Sequence, residues 1–152
     1  MSKGRFLTRA ERGLAESVFG QAVDYDSVRI IQRKWAFFQP KRVVMAPRGT
    51  IHFHPHGGLY CDDFCGADLN DQGLFIHEMT HVWQHQSGVN LILRRHPFCR
   101  YRYTLKPGKP LRAYGIEQQA EIVRHAFLLR QGISLTEASG LDAYQNLLPF
   151  GV

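Results

Sequence analysis

Between Gly73 and His85 the chain reads G-L-F-I-H-E-M-T-H-V-W-Q-H, so two histidines four residues apart, His77 and His81, enclose a glutamate, Glu78. On a helix, positions i and i+4 share a face, which lets both imidazoles hold one metal ion. Glu78 then stands beside the ion without binding it, where its carboxylate can take a proton from a water at the metal. Two imidazoles, one oxygen ligand and an open fourth position suit zinc best, so the expected cofactor is one Zn2+.

Two histidines rarely complete a catalytic zinc site, and a third ligand must come from elsewhere. His85 lies eight residues beyond His77, roughly 12 Å along a helix and too far to share the ion. It also misses the longer H-E-x-x-H-x-x-G-x-x-H pattern. The segment Gly115-Ile116-Glu117-Gln118-Gln119-Ala120-Glu121 is the better source, because Glu117 and Glu121 again lie four apart on one face. One carboxylate can bind the ion while the other accepts a hydrogen bond from the free nitrogen of a ligand histidine, fixing its tautomer. A solvated acidic face is the plainer explanation, but small Ala120 between the acids and the apolar run after them speak against it.

H-E-x-x-H on one helix followed by E-x-x-x-[DE] on a later one resembles the gluzincin type of zinc metallopeptidase. The resemblance implies that His77, His81 and Glu117 are the metal ligands, that Glu78 is the base, and that Glu121 orients a histidine. Such families more often carry Asp at the position of Glu121. More widely, V-R-I, then T-I-H-F, then L-F-I-H-E-M-T-H-V-W-Q-H is similar to small bacterial metallopeptidase-like domains, Vgr-related or toxin-associated, some linked to type VI secretion. That similarity spans residues 8 to about 130. It implies a secretion-linked role, and for a secreted toxin a contact with the secretion apparatus and a cognate immunity protein.

The chemistry these residues describe is hydrolysis of a peptide or similar amide in a peptide or protein substrate. An oxyanion forms in that reaction and needs a further donor; His125, Tyr114, His85 and Tyr103 are the candidates. Two other classes compete with an enzyme. The first is a non-catalytic, zinc-stabilised adaptor of a secretion assembly, which would have no need of Glu78. The second is a nucleic-acid-binding module built on Arg94, Arg95, Arg100, Arg102, Lys106, Lys109 and Arg112 with Tyr101 and Tyr103 between them. A solvated charged loop explains that stretch more simply, and nucleic acid is disfavoured as a partner.

Elements must deliver these side chains. Thr8 with Glu11 reads as a capping box opening a helix whose apolar positions are Leu14, Ala15, Val18, Phe19 and Ala22. Residues 28–31, 42–46 and 50–54 read as short strands. His52 and His54 share a strand face and, with His56, resemble a second cluster, although incidental imidazoles are the simpler explanation. Asn70 or Asp71 is the expected N-cap of the H-E-x-x-H helix and Gly88 its stop. Residues 91–113, with Pro97, Pro107, Gly108 and Pro110, predict irregular or hairpin structure. A helix from Tyr114 or Ile116 to Gln131 follows, and a short one from Leu141 to Leu148.

The expected fold is therefore α+β and minimally zincin-like. A small mixed or antiparallel sheet packs on the H-E-x-x-H helix, the Glu117 helix lies beside it, and the N-terminal helix covers the other side. The 152 residues predict a single domain, 1–152. With 44% hydrophobic and 21% charged residues and a net charge of +6, the composition is that of an ordinary globular protein. No apolar run approaches the roughly 20 residues of a membrane span, nor does the basic start resemble a signal peptide. Synthesis in the cytoplasm is expected, with export left to a specialised secretion system. Cys61, Cys65 and Cys99 are too few and too odd for a disulfide framework, and reduced thiols are expected.

Overall fold

The computed structural model describes residues 3–94, 100–135 and 140–150. Helix α1 spans Arg9–Phe19 and starts as its sequence predicts. The Thr8 hydroxyl accepts from the Glu11 N–H at 3.0 Å, and Glu11 accepts from the Thr8 N–H at 2.9 Å. Glu11 does more than cap. It is fully buried, pairs with both terminal nitrogens of Arg5 at 2.8 and 3.0 Å, and accepts from the Phe64 N–H at 2.9 Å. One carboxylate thus ties the N-terminal segment, α1 and the 3-10 turn Phe64–Gly66 together. Glu11→Ala leaves all of these donors unanswered and is expected to cost about 3–5 kcal/mol in urea unfolding; a loss below ~1 kcal/mol would show that water replaces the carboxylate.

Strands β1 (Arg29–Ile31) and β2 (Thr50–His52) form a two-stranded sheet with Ile30 opposite Ile51. The expectation of a mixed or antiparallel sheet is corrected here, because the two strands run parallel. A parallel pair needs a long crossover, and residues 32–49 supply one. The strand expected over 42–46 does not form within that crossover. Only Met45 pairs, as an isolated antiparallel bridge to His52, matched by an Arg5 bridge to Ile30. Pro40 and Pro47 flank this segment and cannot donate to a ladder.

Helix α2 spans Leu69–Gln86 and carries the H-E-x-x-H run. Its N-cap is Asp68, whose carboxylate accepts from the Asp71 N–H at 2.9 Å, and not Asn70 or Asp71 as expected. At the other end Gly88 has φ +95° and donates to the His85 carbonyl, while Val89 donates to that of Gln84. Those two bonds stop the helix where the glycine predicts. Short α3 (Leu91–Arg94) follows and breaks the expectation of wholly irregular structure after residue 91. Part of that stretch, with Arg95, His96 and Cys99, lies outside the described residues.

Helix α4 spans Ile116–Arg130 and packs along α2; α5 (Leu141–Leu147) packs on α4. Gly73 permits the close approach of α2 and α4, since a Cβ there would meet Arg124 Nε at 3.1 Å and Leu128 Cδ2 at 3.4 Å. The core runs from Val18 and Phe19 of α1 through Ile30 and Ile51 of the sheet to Ile76 and Met79 of α2 and Val123 and Phe127 of α4. Phe53, Phe64 and Phe75 stack in series within it. The architecture is helices plus a small parallel sheet, of α+β type. Among the described residues no helix is long and apolar enough to cross a membrane.

Candidate metal centre

Helical spacing puts His77 and His81 on the α2 face that meets α4, with ring centroids 5.0 Å apart. Glu117, in the first turn of α4, points its Oε1 at both. The distances are 3.2 Å to His77 Nε2 and 2.7 Å to His81 Nε2. All three donor atoms lie within 4.8 Å of one another, and all three residues are buried. They form a group able to hold a metal ion. Ligand atoms around a tetrahedral zinc stand ~3.3 Å apart; two imidazoles and a carboxylate match that ion in type, with both nitrogen–oxygen distances on the short side of that spacing.

The other ring nitrogens are held by outer partners. His77 Nδ1 meets Glu121 Oε2 at 3.0 Å, so the arm of a glutamate at this position reaches the imidazole. Glu121 is steadied by Arg124 at 3.4 Å, and Arg124 also donates to Asn70 at 3.1 Å. His81 Nδ1 meets Gln84 Oε1 at 2.8 Å. Sequence reasoning missed this partner, and the structure fixes its orientation. Gln119 donates to the Tyr114 carbonyl at 2.8 Å, so its own oxygen faces Gln84. Gln84 donates to that oxygen and to the Ile116 carbonyl, both at 3.0 Å, so its oxygen must face His81. His81 Nδ1 therefore carries a hydrogen, and Nε2 is the nitrogen turned to the centre. Gln84→Leu is expected to weaken zinc binding by about 10–100-fold in chelator competition. Unchanged affinity would remove Gln84 from any role in orienting His81.

Charges within the cluster are coupled. Burial alone would lower the His77 pKa, but hydrogen bonds to Glu117 and Glu121 outweigh it and hold His77 up to about 10. Burial pushes the Glu117 carboxyl up, yet its bonds to His77 and His81 hold it far below the usual carboxylate range. Glu121 is lowered despite burial, chiefly by His77. Without metal, the raised His77 value adds stability that is complete below its ordinary 6.5 and is lost as pH climbs through about 10. In chelator, melting temperature should fall between about pH 7 and about pH 10, and by less in His77→Gln. Equal falls in the two proteins would place the proton elsewhere.

Glu78 is buried beside His77 and close enough to add to the field that favours the imidazolium. The other sequence candidates are not among the converging donor atoms. His85 is exposed and faces Gly49. Tyr114 is buried and accepts from the Lys106 N–H at 3.0 Å. His125 Nδ1 is taken by the Tyr103 hydroxyl at 2.5 Å, which also meets Tyr144. His52 bonds the Arg33 carbonyl and His54 Nδ1 accepts from the His56 backbone N–H, and these three form no ligand set among the described residues. Cys61 and Cys65 are free thiols.

Two cavities flank the centre. One, of about 640 Å³, reaches His81 and Glu117 and is walled by Trp35, Phe38, Val43, Met45, Leu91 and Ile92. This apolar cleft runs between the helices and the crossover segment that bridges to β2. A second, of about 960 Å³, reaches Glu121 on the other side. Tyr101 walls both, its ring stacked 6.1 Å from that of His77.

No family model matches the sequence. Over 154 aligned residues the chain is 46% identical to the type VI secretion system spike protein VgrG2b of Pseudomonas aeruginosa strain PAO1. The match takes in 95% of this chain but only 15% of that protein's length. Among solved structures, the effector domain of Pseudomonas aeruginosa VgrG2b superposes with a TM-score of 0.78 at 39% identity, covering 95% of this chain and 82% of that one.

Proposed function

Because the chain belongs to the family of the VgrG2b effector domain, we propose that it is a type VI secretion-linked effector, and a zinc-dependent hydrolase cleaving peptide or related amide bonds. The observation that carries the hydrolase reading is the convergence of His77 Nε2, His81 Nε2 and Glu117 Oε1 with a buried glutamate, Glu78, adjoining. Zinc held by these three residues would polarise a scissile carbonyl and make a water acidic near neutrality.

The chain's own groups do the rest. Glu117 supplies the negative charge that helps retain a dication between two neutral imidazoles. Glu121 and Gln84 hold those imidazoles with their Nε2 lone pairs toward the centre. Glu78 takes the proton of the attacking water and returns it to the leaving nitrogen. The apolar cleft admits an extended segment with a bulky apolar side chain. His125 and Tyr114 remain candidates for the oxyanion donor, because their bonds to Tyr103 and Lys106 use His125 Nδ1 and a lone pair of the Tyr114 hydroxyl rather than His125 Nε2 or the phenol hydrogen. In its cellular setting the domain would be carried by the secretion apparatus to a peptide or protein substrate, with an immunity protein as its natural antagonist.

A buried carboxylate at the second position of H-E-x-x-H favours this reading over a zinc-stabilised adaptor, in which burying an acid beside the site has a cost and no return. The test is elemental mass spectrometry combined with a peptide-pool digest read by mass spectrometry. Near-stoichiometric zinc, with cleavage lost on chelation and restored by Zn2+, is the expected result. Cleavage persisting in verified zinc-free protein would overturn the metal role, and zinc binding without any cleavage would favour the adaptor.

A further inference from the structure

The cavity on the Glu121 side of the centre differs from the apolar cleft in charge. Arg100, Arg102, Lys106 and Lys109 line it, and Glu121 is the only carboxylate in its wall among the described residues. Glu121 is already committed to His77 and Arg124. Three other described arginines have acidic partners: Arg5 pairs with Glu11, Arg12 with Glu16 and Asp26, and Arg124 with Glu121. Among the described residues no carboxylate lies within ion-pair distance of the four cavity cations. Four like charges gathered around one concavity favour an anion there.

The segment bearing them is anchored. Gln118 of α4 donates to the Arg102 carbonyl at 2.7 Å. The Lys106 N–H donates to the Tyr114 hydroxyl, and the Lys109 ammonium sits 4.4 Å from the centre of the Tyr114 ring. These bonds fix the segment against the start of the helix that carries Glu117. The cavity is joined to the centre through Tyr101 and through Glu121, which touches His77.

We propose that this cavity is a substrate subsite for a carboxylate, supplied by an acidic side chain or by a chain terminus, lying next to the bond placed at the metal centre. This deepens the hydrolase reading and rests on it for the position of the scissile bond. A nucleic acid fits less well. Its phosphates need cations along a continuous track, whereas a strand crossing this centre runs from cations onto Trp35, Phe38, Val43 and Met45. A peptide joining an apolar residue to an acidic one meets both walls with matching chemistry.

The probes are fluorescent peptides sharing one bulky apolar residue and differing at one position, Glu or Gln, each with an amidated or a free C-terminus. Binding to zinc-loaded Glu78→Gln protein is followed by anisotropy at about 50 and about 300 mM salt. The carboxylate peptides should bind about 10-fold tighter than the amidated Gln peptide at low salt. That advantage should shrink at high salt and vanish in Arg102→Glu/Lys106→Glu protein whose melting temperature and zinc content are unchanged. Preference for Glu in amidated peptides identifies a side-chain carboxylate; preference for the free terminus identifies a chain end. Equal binding of all four peptides overturns the subsite, as does displacement of the Glu peptide by a single-stranded oligonucleotide at lower concentration. Cleavage by the wild type separates the two levels. Acid-selective binding without cleavage sinks the hydrolase reading and keeps the subsite, and cleavage indifferent to the acid does the reverse.

Discussion

Replacing Glu78 by Gln is expected to lower peptide turnover by about 10²–10⁴-fold while zinc stays at wild-type stoichiometry. The substitution changes one oxygen to an amide nitrogen at constant size, so the buried site keeps its volume and α2 keeps its packing. What disappears is the buried carboxylate beside His77 that is proposed to take the water's proton and is not one of the three converging donors. Because Glu78 adds to the field that favours charged His77, its neutralisation should also lower the proton affinity of that imidazole in the metal-free protein. Zinc would then bind as well as or slightly better than in the wild type, since a proton on His77 competes with the metal. The paired readout separates two failures. Turnover retained in Glu78→Gln would move the base elsewhere, whereas zinc lost with turnover would mean that Glu78 shapes the centre.

The parts of this arrangement that were legible in the sequence are those set by local chemistry. Thr8 and Glu11 announced their helix because a capping box is complete within four residues. His77 and His81 share a face for the same reason, and Glu117 and Glu121 share theirs. The N-cap of α2 fell two to three residues earlier than expected because Asp68, Asn70 and Asp71 are all competent caps, and packing chose among them. Asn70 instead serves Arg124 across the α2–α4 interface. Strand direction was hidden because alternation of apolar residues is the same in parallel and antiparallel pairs, and only the crossover 32–49 decides between them. Gln84 and Gln119 were overlooked for a related reason. An amide inside a helix carries no local signal, and the value of Gln84 arises only when α4 brings the Ile116 carbonyl and the Gln119 amide within reach. One cue was present: a ligand histidine needs an outer acceptor, and Gln84 lies one helical turn beyond His81.

The second large effect is expected at Glu117. Glu117→Gln keeps the shape of the side chain but removes the anionic oxygen that meets both Nε2 atoms, at 3.2 and 2.7 Å. Zinc affinity should fall on the order of 10²-fold or more, beyond the loss expected for an outer partner such as Gln84. Chelator competition measures this directly. The metal-free protein should respond as well, because the imidazolium of His77 loses one of the two carboxylates holding its proton. The alkaline loss of stability should therefore begin at lower pH in Glu117→Gln than in the wild type. The sign follows from a folded-state pKa brought nearer its ordinary value. Glu121→Gln is the informative comparison, since it touches His77 from the other nitrogen and contributes no converging atom. It should shift the same alkaline limb while costing only about 10–100-fold in zinc affinity. If instead Glu121→Gln abolished zinc binding and Glu117→Gln spared it, the roles of the two acids would be exchanged. The ion would then lie on the Nδ1 side of His77, out of reach of His81, whose Nδ1 is held by Gln84. That arrangement would leave only two protein ligands, too few for a stable catalytic zinc.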